Sequence, residues 1–330
     1  MKRKLWLLLL CLSAAFLLCV SASAVDVSSK DALIAAAANG GEMKLTGNIE
    51  IDSTLAIGRE TTLDLNGYVL RYKNDNVHGS VLSVKNGAHL TIKDSNPTAE
   101  HRFAMNSDGL WVLDENGSET IPGGVITGGT GTQWDQYYRG GGVYIAPGGA
   151  LTMNGGSIVG CSGSGTINGG GGVYLGLNSS PTNPTADTFT MNGGRIIGCT
   201  AGLGGGVLVA PGCKFTMNAG AVIRSCTAQM GGGVYYLGMS GSSGMFTLNG
   251  GAIQSCKALG GGGGGVCNSG EFLIMENSLI KDCTSEKDSN KSGGVLNSGQ
   301  LTISGGTVES NVTNSGTINA DGGTVTGGVT

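Results

Sequence analysis

Histidine, proline and charge are scarce in this chain: 3 His, 6 Pro and 13% charged residues among 330. Between Gly140 and Gly270 there is one acidic residue, Asp187, and no histidine. A catalytic groove along that stretch therefore lacks both acid and base, and the two carboxylates that a glycosidase places about its scissile bond are missing there. The absence of a G-X-Y period excludes collagen. Gly260 to Gly265 is not followed by Gly-Lys-Ser/Thr, and GSGTINGG at 163–170 opens no helix, so no phosphate-binding loop has its parts. There is no CxxC spacing for zinc and no aspartate-bearing glycine repeat for calcium. No unit carries a ten-residue amphipathic segment, so helical repeats fit badly. A formal net charge of -4 and a pI near 5.4 give no basic patch for nucleic acid.

What is abundant is glycine, 63 residues, and it recurs in a phrase. Cys161, Cys199, Cys226, Cys256 and Cys283 close MNGGSIVGC, MNGGRIIGC, MNAGAVIRSC, LNGGAIQSC and MENSLIKDC, and ISGGTVESN puts Asn311 at the same place. Successive positions differ by 38, 27, 30, 27 and 28 (161, 199, 226, 256, 283, 311), and the valine of a GGV phrase advances with them at Val143, Val173, Val207, Val234, Val266 and Val295. Repetition at a fixed period marks stacked supersecondary units. Each unit holds three short apolar bursts, Gly-Val-Tyr-Ile, Leu-Thr-Met and Ser-Ile-Val in the first, each with the alternation or β-branching of a strand. Three strands per unit predict an all-β, three-sided parallel β-helix with coils about 4.8 Å apart. Glycines are expected at its corners, where positive φ is needed.

Lys2 to Lys4, the apolar run Leu5 to Val20 and Ala22-Ser23-Ala24 read as a secretory signal, 1–24, cleaved before Val25; this predicts an extracellular or cell-surface location and removes Cys11 and Cys19. Residues 25–41 read as a capping helix with a Ser cap, an early Asp31 and terminal glycines. Residues 42–94 form opening coils, in which Asp64 alternates with leucines and is expected to point outward. Residues 95–140 hold two insertions around one coil, 95–122 and 130–140, expected to project as loops or a small hairpin. Residues 141–330 are the glycine-rich repeats, with a third insertion from Asn178 to Asp187 behind the 38-residue step. The last phrases stop in repeat, so the C-terminal coil is expected to be uncapped and available for self-association.

The cysteine ladder is read first as stacked buried thiols, because Gly129 and Asn311 share its register and free Cys packs as a small hydrophobe. Disulfides between neighbours fit the Cα range of about 4.4–6.8 Å, and a metal is the third alternative. Cys213 and Cys267 lie off register. Asp52, Asp64 and Asp94 are candidates for an acidic patch, but alternation along the strands favours outward, solvated carboxylates. Trp111 and Trp134 sit in the two neighbouring insertions, the second with Tyr137, Tyr138 and Arg139. These five are the candidate ligand-binding residues, since inserted loops carry function and Trp, Tyr and Arg favour contacts; packing of the rings onto the coil is the alternative.

The segments GGGVYIAPGGALTMNGGSIVGCSG, GGGVLVAPGCKFTMNAGAVIRSCTA and GGGVYYLGMSGSSGMFTLNGGAIQSCKA resemble the repeats of bacterial secreted, adhesin-like right-handed β-helix proteins and are similar to those of polymorphic outer membrane proteins. The likeness covers about residues 40–330. It implies a right-handed coil of the pectate-lyase-like superfamily and carries over no catalytic residue, metal or cofactor. The chain is thus expected to be a non-enzymatic β-helix presenting its loops to a glycan or a surface protein. A polysaccharide lyase or hydrolase, or its remnant, is the runner-up, and a self-associating structural protein the third reading.

Overall fold

The computed structural model describes residues 23–330 apart from 108, 135–136, 164–168, 177–186, 240–242, 288 and 290. Most of the expected signal segment, the insertion from Asn178 up to residue 186 and the side chain of Trp134 lie outside the described residues. The chain is a stack of parallel strands in three long sheets of 11, 10 and 9 strands, a three-sided parallel β-helix. The first sheet runs from Val25–Val27 to Thr317–Ala320, the second from Ile49–Ile51 to Thr324–Val325 and the third from Leu55–Ile57 to Val312–Asn314.

Alternation along each strand builds the core. In the first sheet Phe189, Phe215, Phe246 and Phe272 pair in register and stack with ring centroids 4.9, 4.9 and 4.5 Å apart. The valines of the GGV phrase line the third sheet in register and are all 0% exposed. At the N-terminal end the helix Lys30–Asn39 is capped by Ser29, and Leu33, Ala36 and Ala37 join the core over the first strands. The capping segment also contains a strand: Val25–Val27 pairs with Gly41–Leu45 as the edge of the first sheet.

The three-strand unit is incomplete as a description. After each of four ladder cysteines the chain adds a further strand, Thr200–Leu203, Thr227–Met230, Lys257–Gly262 and Thr284–Ser285, and these form a fourth parallel sheet. The chain then reverses at a glycine of positive φ, Gly204, Gly231 or Gly263, which brings it back beside the following GGV strand. This explains why Leu208, outward in the third sheet, is only 5% exposed; Tyr144 and Tyr174, 8% and 4% exposed, lie earlier in the stack beside Arg139. The last coil lacks that strand, and Asn297 and Asn314 are linked across a step of 17 residues.

Asp64 keeps the outward register, paired beside Lys44 and Lys93, but is not solvated there. It is 3% exposed at a corner where its Oδ1 accepts the N–H groups of Asn66 and Ser95, both at 2.9 Å. The turn leaves backbone donors without a ladder partner, and the carboxylate satisfies them. Asp94 acts similarly, accepting from Gly67 at 2.7 Å and Gly124 at 2.8 Å.

Candidate functional site: a cleft between two docked insertions

The first insertion does not project. Glu100–Met105, Trp111–Leu113 and Glu119–Pro122 form a three-stranded antiparallel sheet that lies on the outside of the second long sheet. Phe103 and Ile121, both 0% exposed, pack there with Val69, Val125, Val159 and Ile197, and Trp111 and Leu113 close the edge of this second core. Arg224 and Glu119 form an ion pair at its border.

The footprint was encoded in the repeats. The two covered coils end in Val-Gly-Cys and Ile-Gly-Cys; the next three end in Arg-Ser-Cys, Gln-Ser-Cys and Lys-Asp-Cys. Outward apolar residues sit under the insertion and polar ones beyond it. The residue before cysteine has positive φ throughout, at Gly160, Gly198, Ser225, Ser255 and Asp282. Glycine is retained where Trp111 lies on top: a β-carbon at Gly198 would meet Trp111 Cγ at 2.5 Å.

The second insertion is the hairpin Thr132–Trp134 with Tyr137–Arg139, tied down by Ser80. The Ser80 hydroxyl lies 2.7 Å from that of Thr132 and 3.2 Å from the Arg139 carbonyl it donates to. Arg139 sits 5.2 Å over the Tyr174 ring and 5.9 Å over Tyr137, a cation–π arrangement that turns both toward the coil. Tyr138 contacts His78, with ring centroids 4.5 Å apart.

Between the docked sheet and the segment 71–78, with Thr130 at the foot of the second insertion, lies a cleft of about 290 Å³. One wall is the segment from Arg71 through Lys73 to His78, the other is Leu110 and Val112 of the docked sheet, and Gly128, Gly129 and Gly160 line it with backbone. The first wall is well built: the Tyr72 hydroxyl donates to the Val77 carbonyl at 2.9 Å, and Asn74 Oδ1 accepts from Asn76 and Val77, each at 3.1 Å. Arg71 and Lys73 share Glu50 at 3.4 Å each, loose contacts on exposed side chains that a ligand can replace at little cost.

Of the five residues singled out in the sequence, Tyr138 reaches the cleft margin through His78, while Trp111 braces the docked sheet from behind and Tyr137 and Arg139 associate with the coil. Arg71, Lys73, His78 and Val112 were missed. Alternation gave one signal, since Trp111 and Leu113 facing the coil require Val112 to face away. The polar KNDNVHGS segment, 73–80, between two strand phrases gave the other.

The ladder Cys161, Cys199, Cys226, Cys256 and Cys283 is buried, and all seven described cysteines are free. Cys199, Cys226, Cys256 and Cys283 lie 3.2–3.5 Å from the carbonyl two residues before them, the nearer acceptor for the thiol, and 3.8–3.9 Å from a carbonyl on the preceding coil. Burial pushes the Cys161 and Cys226 thiols up. Asn311 follows in sequence but not in packing: it is half-buried, and Ser310 instead turns inward, its hydroxyl accepting the Cys283 N–H at 3.1 Å. Cys267 faces outward in the third sheet under cover, its thiol pushed up to about 12 by burial. Cys213 contacts Asp187 at 3.7 Å. Among the described residues, no group of three or more His, Cys, Asp or Glu side chains is placed to hold a metal ion, and no helix is long and apolar enough to cross a membrane.

The three candidate carboxylates of the opening coils are engaged. Asp52 pairs with Lys30, whose hydrogen bond holds its carboxyl below the usual range, and Asp64 and Asp94 cap turns. One acid–imidazole–hydroxyl series exists on the first sheet: Glu60 Oε1 lies 3.2 Å from His89 Nδ1, and His89 Nε2 lies 2.8 Å from Thr152 Oγ1.

The fold defines a class, a three-sided parallel β-helix, here with an inserted sheet docked beside a cleft. Scans of the chain against protein-family models, curated proteins and solved structures gave no match in any of the three.

Proposed function

We propose that the protein is a secreted or cell-surface, non-enzymatic β-helix that holds the cleft beside its docked sheet toward a glycan or a protein partner. The observation that carries this reading is the fixed geometry of both cleft walls: the docked sheet is sealed onto the coil by an apolar core and an ion pair, and the segment 71–78 is held by the Tyr72 hydroxyl and the Asn74 side chain. A preorganised cleft loses little entropy on binding. The adhesin-like resemblance of the repeats and the signal-like N-terminus support the compartment.

Incubation with pectin, mucin glycans and plant polysaccharides tests the reading. Binding without reducing-end or unsaturated product is expected. A second reading, a hydrolase, is favoured by the Glu60–His89–Thr152 series alone, which has the hydrogen-bond order of an activated hydroxyl nucleophile. It predicts product that disappears in His89→Ala, and such product would replace the binding reading.

A further inference from the structure

The outer face of the eleven-stranded sheet carries two rows that the cleft does not use. Register places Thr152, Thr190, Thr216 and Thr247 in line, continuing a row begun by Thr62 and Thr91. Two residues on, Asn154, Asn192, Asn218 and Asn249 form a second row, the Nδ2 of each later residue donating to Oδ1 of the one before at 2.9, 2.8 and 2.8 Å. The phrase is Thr-Met-Asn three times and then Thr-Leu-Asn, with the middle side chain in the core.

Threonine is common on half-buried strand surfaces, whereas asparagine is depleted in strands. A run of four asparagines in one register is thus the more informative row. Each amide has two N–H groups and two lone pairs, and a ladder contact takes one of each. The ladder therefore fixes the amide planes while leaving every coil an N–H and a lone pair beside a half-exposed hydroxyl. Neither row carries a charge over these four coils, Lys214 in the adjacent row being the one charge on the outer face of these strands, and the unit repeats about every 4.8 Å.

We propose that this face binds an uncharged polymer of regularly spaced hydroxyl groups, a neutral polysaccharide lying along the axis of the stack. The absence of charge in the rows disfavours an anionic polymer, which would lose hydration without gaining a counter-charge. Identical weak contacts on successive coils add through effective concentration, so the site selects long polymers over short oligomers. It is independent of the cleft.

Co-sedimentation of the protein with insoluble cellulose, chitin and xylan, with pectate as the anionic control, tests the proposal. Retention on at least one neutral polymer is expected, insensitive to salt because no charge pair is screened. Replacing Thr190→Lys and Thr216→Lys together should weaken it at least about tenfold. Thr190→Ser should bind as the parent does, and the double-lysine loss should be as large in a Val112→Arg background, where the cleft is altered. The proposal is overturned by no retention on any neutral polymer, or by undiminished retention in a double-lysine variant that melts normally. It is equally overturned by loss confined to Val112→Arg, which returns the binding to the cleft, or by uptake into ice without retention on polysaccharide.

Discussion

Trp111 lies against Gly198, so closely that a β-carbon there would meet the indole Cγ at 2.5 Å. This one contact joins the inserted sheet to a corner of the coil 87 residues later (198 − 111). Gly198 has φ 59 and Ser225, one coil on and uncovered, has φ 55, so the two corners share a backbone and differ in what covers them. Gly198→Ala is expected to cost about 1–3 kcal/mol in urea unfolding and to shift Trp111 fluorescence. Ser225→Gly, with nothing to displace, should change stability by less than about 1 kcal/mol. Equal effects at the two corners would mean that Trp111 does not rest on the coil.

Arg224 and Glu119 clamp the far border of the same sheet, with side chains 27% and 33% exposed. A double-mutant cycle of Arg224→Ala and Glu119→Ala should give a coupling of about 0.5–1 kcal/mol that shrinks in high salt. Hydrogen exchange in 100–122 should quicken in the single variants while the core strands stay protected. Exchange that quickens everywhere would mean the pair holds the coil itself.

The seven described thiols are buried and free, and access governs thiol reactivity as much as thiolate fraction does. Ellman's reagent should find none reactive in the native protein at neutral pH, with these seven appearing on denaturation. A fast-reacting native thiol would contradict the packed ladder, and a smaller denatured count without reductant would reveal disulfides.

Asp187 is 1% exposed, and burial raises its carboxyl pKa, offset in part by the Gly148 N–H. A folded pKa above the unfolded one means that stability is fullest below the unfolded value, 3.8 in the reference state, and is lost as pH rises through the folded value. Relative to Asp187→Asn, the parent should therefore be least stable at neutral pH and gain as pH falls toward that value. Urea melts of both proteins at two pH values check the sign, and a parent that gained relative stability as pH rose would refute it.

Much of the architecture was written in the repeats, because inward positions must match from coil to coil: the GGV valines and the cysteines each predict a column, and each forms one. Asn311 broke the pattern because the last coil drops its fourth strand, a change of length that residue identity does not announce. Asp64 follows the alternation but is covered, because it accepts the backbone donors of the turn that closes over it, a contact strand alternation does not announce. The first insertion was legible only jointly with the coils beneath it, through the switch from Val159 and Ile197 to Arg224, Gln254 and Lys281. That His78 and Val112 face one another depends on how the 73–80 segment and the docked sheet meet, which the local patterns at each do not carry.

The central claim is that the cleft beside the docked sheet binds a ligand without turning it over. Val112 stands on the cleft wall, 36% exposed, outside both hydrophobic cores. The most direct measurement is calorimetric titration of soluble oligosaccharides from the panel into the parent and Val112→Arg, with the ligand recovered and analysed afterward. The account predicts binding by the parent, affinity at least about tenfold weaker in the variant, and ligand recovered intact. Equal affinity in the two proteins, or cleaved ligand, would contradict it.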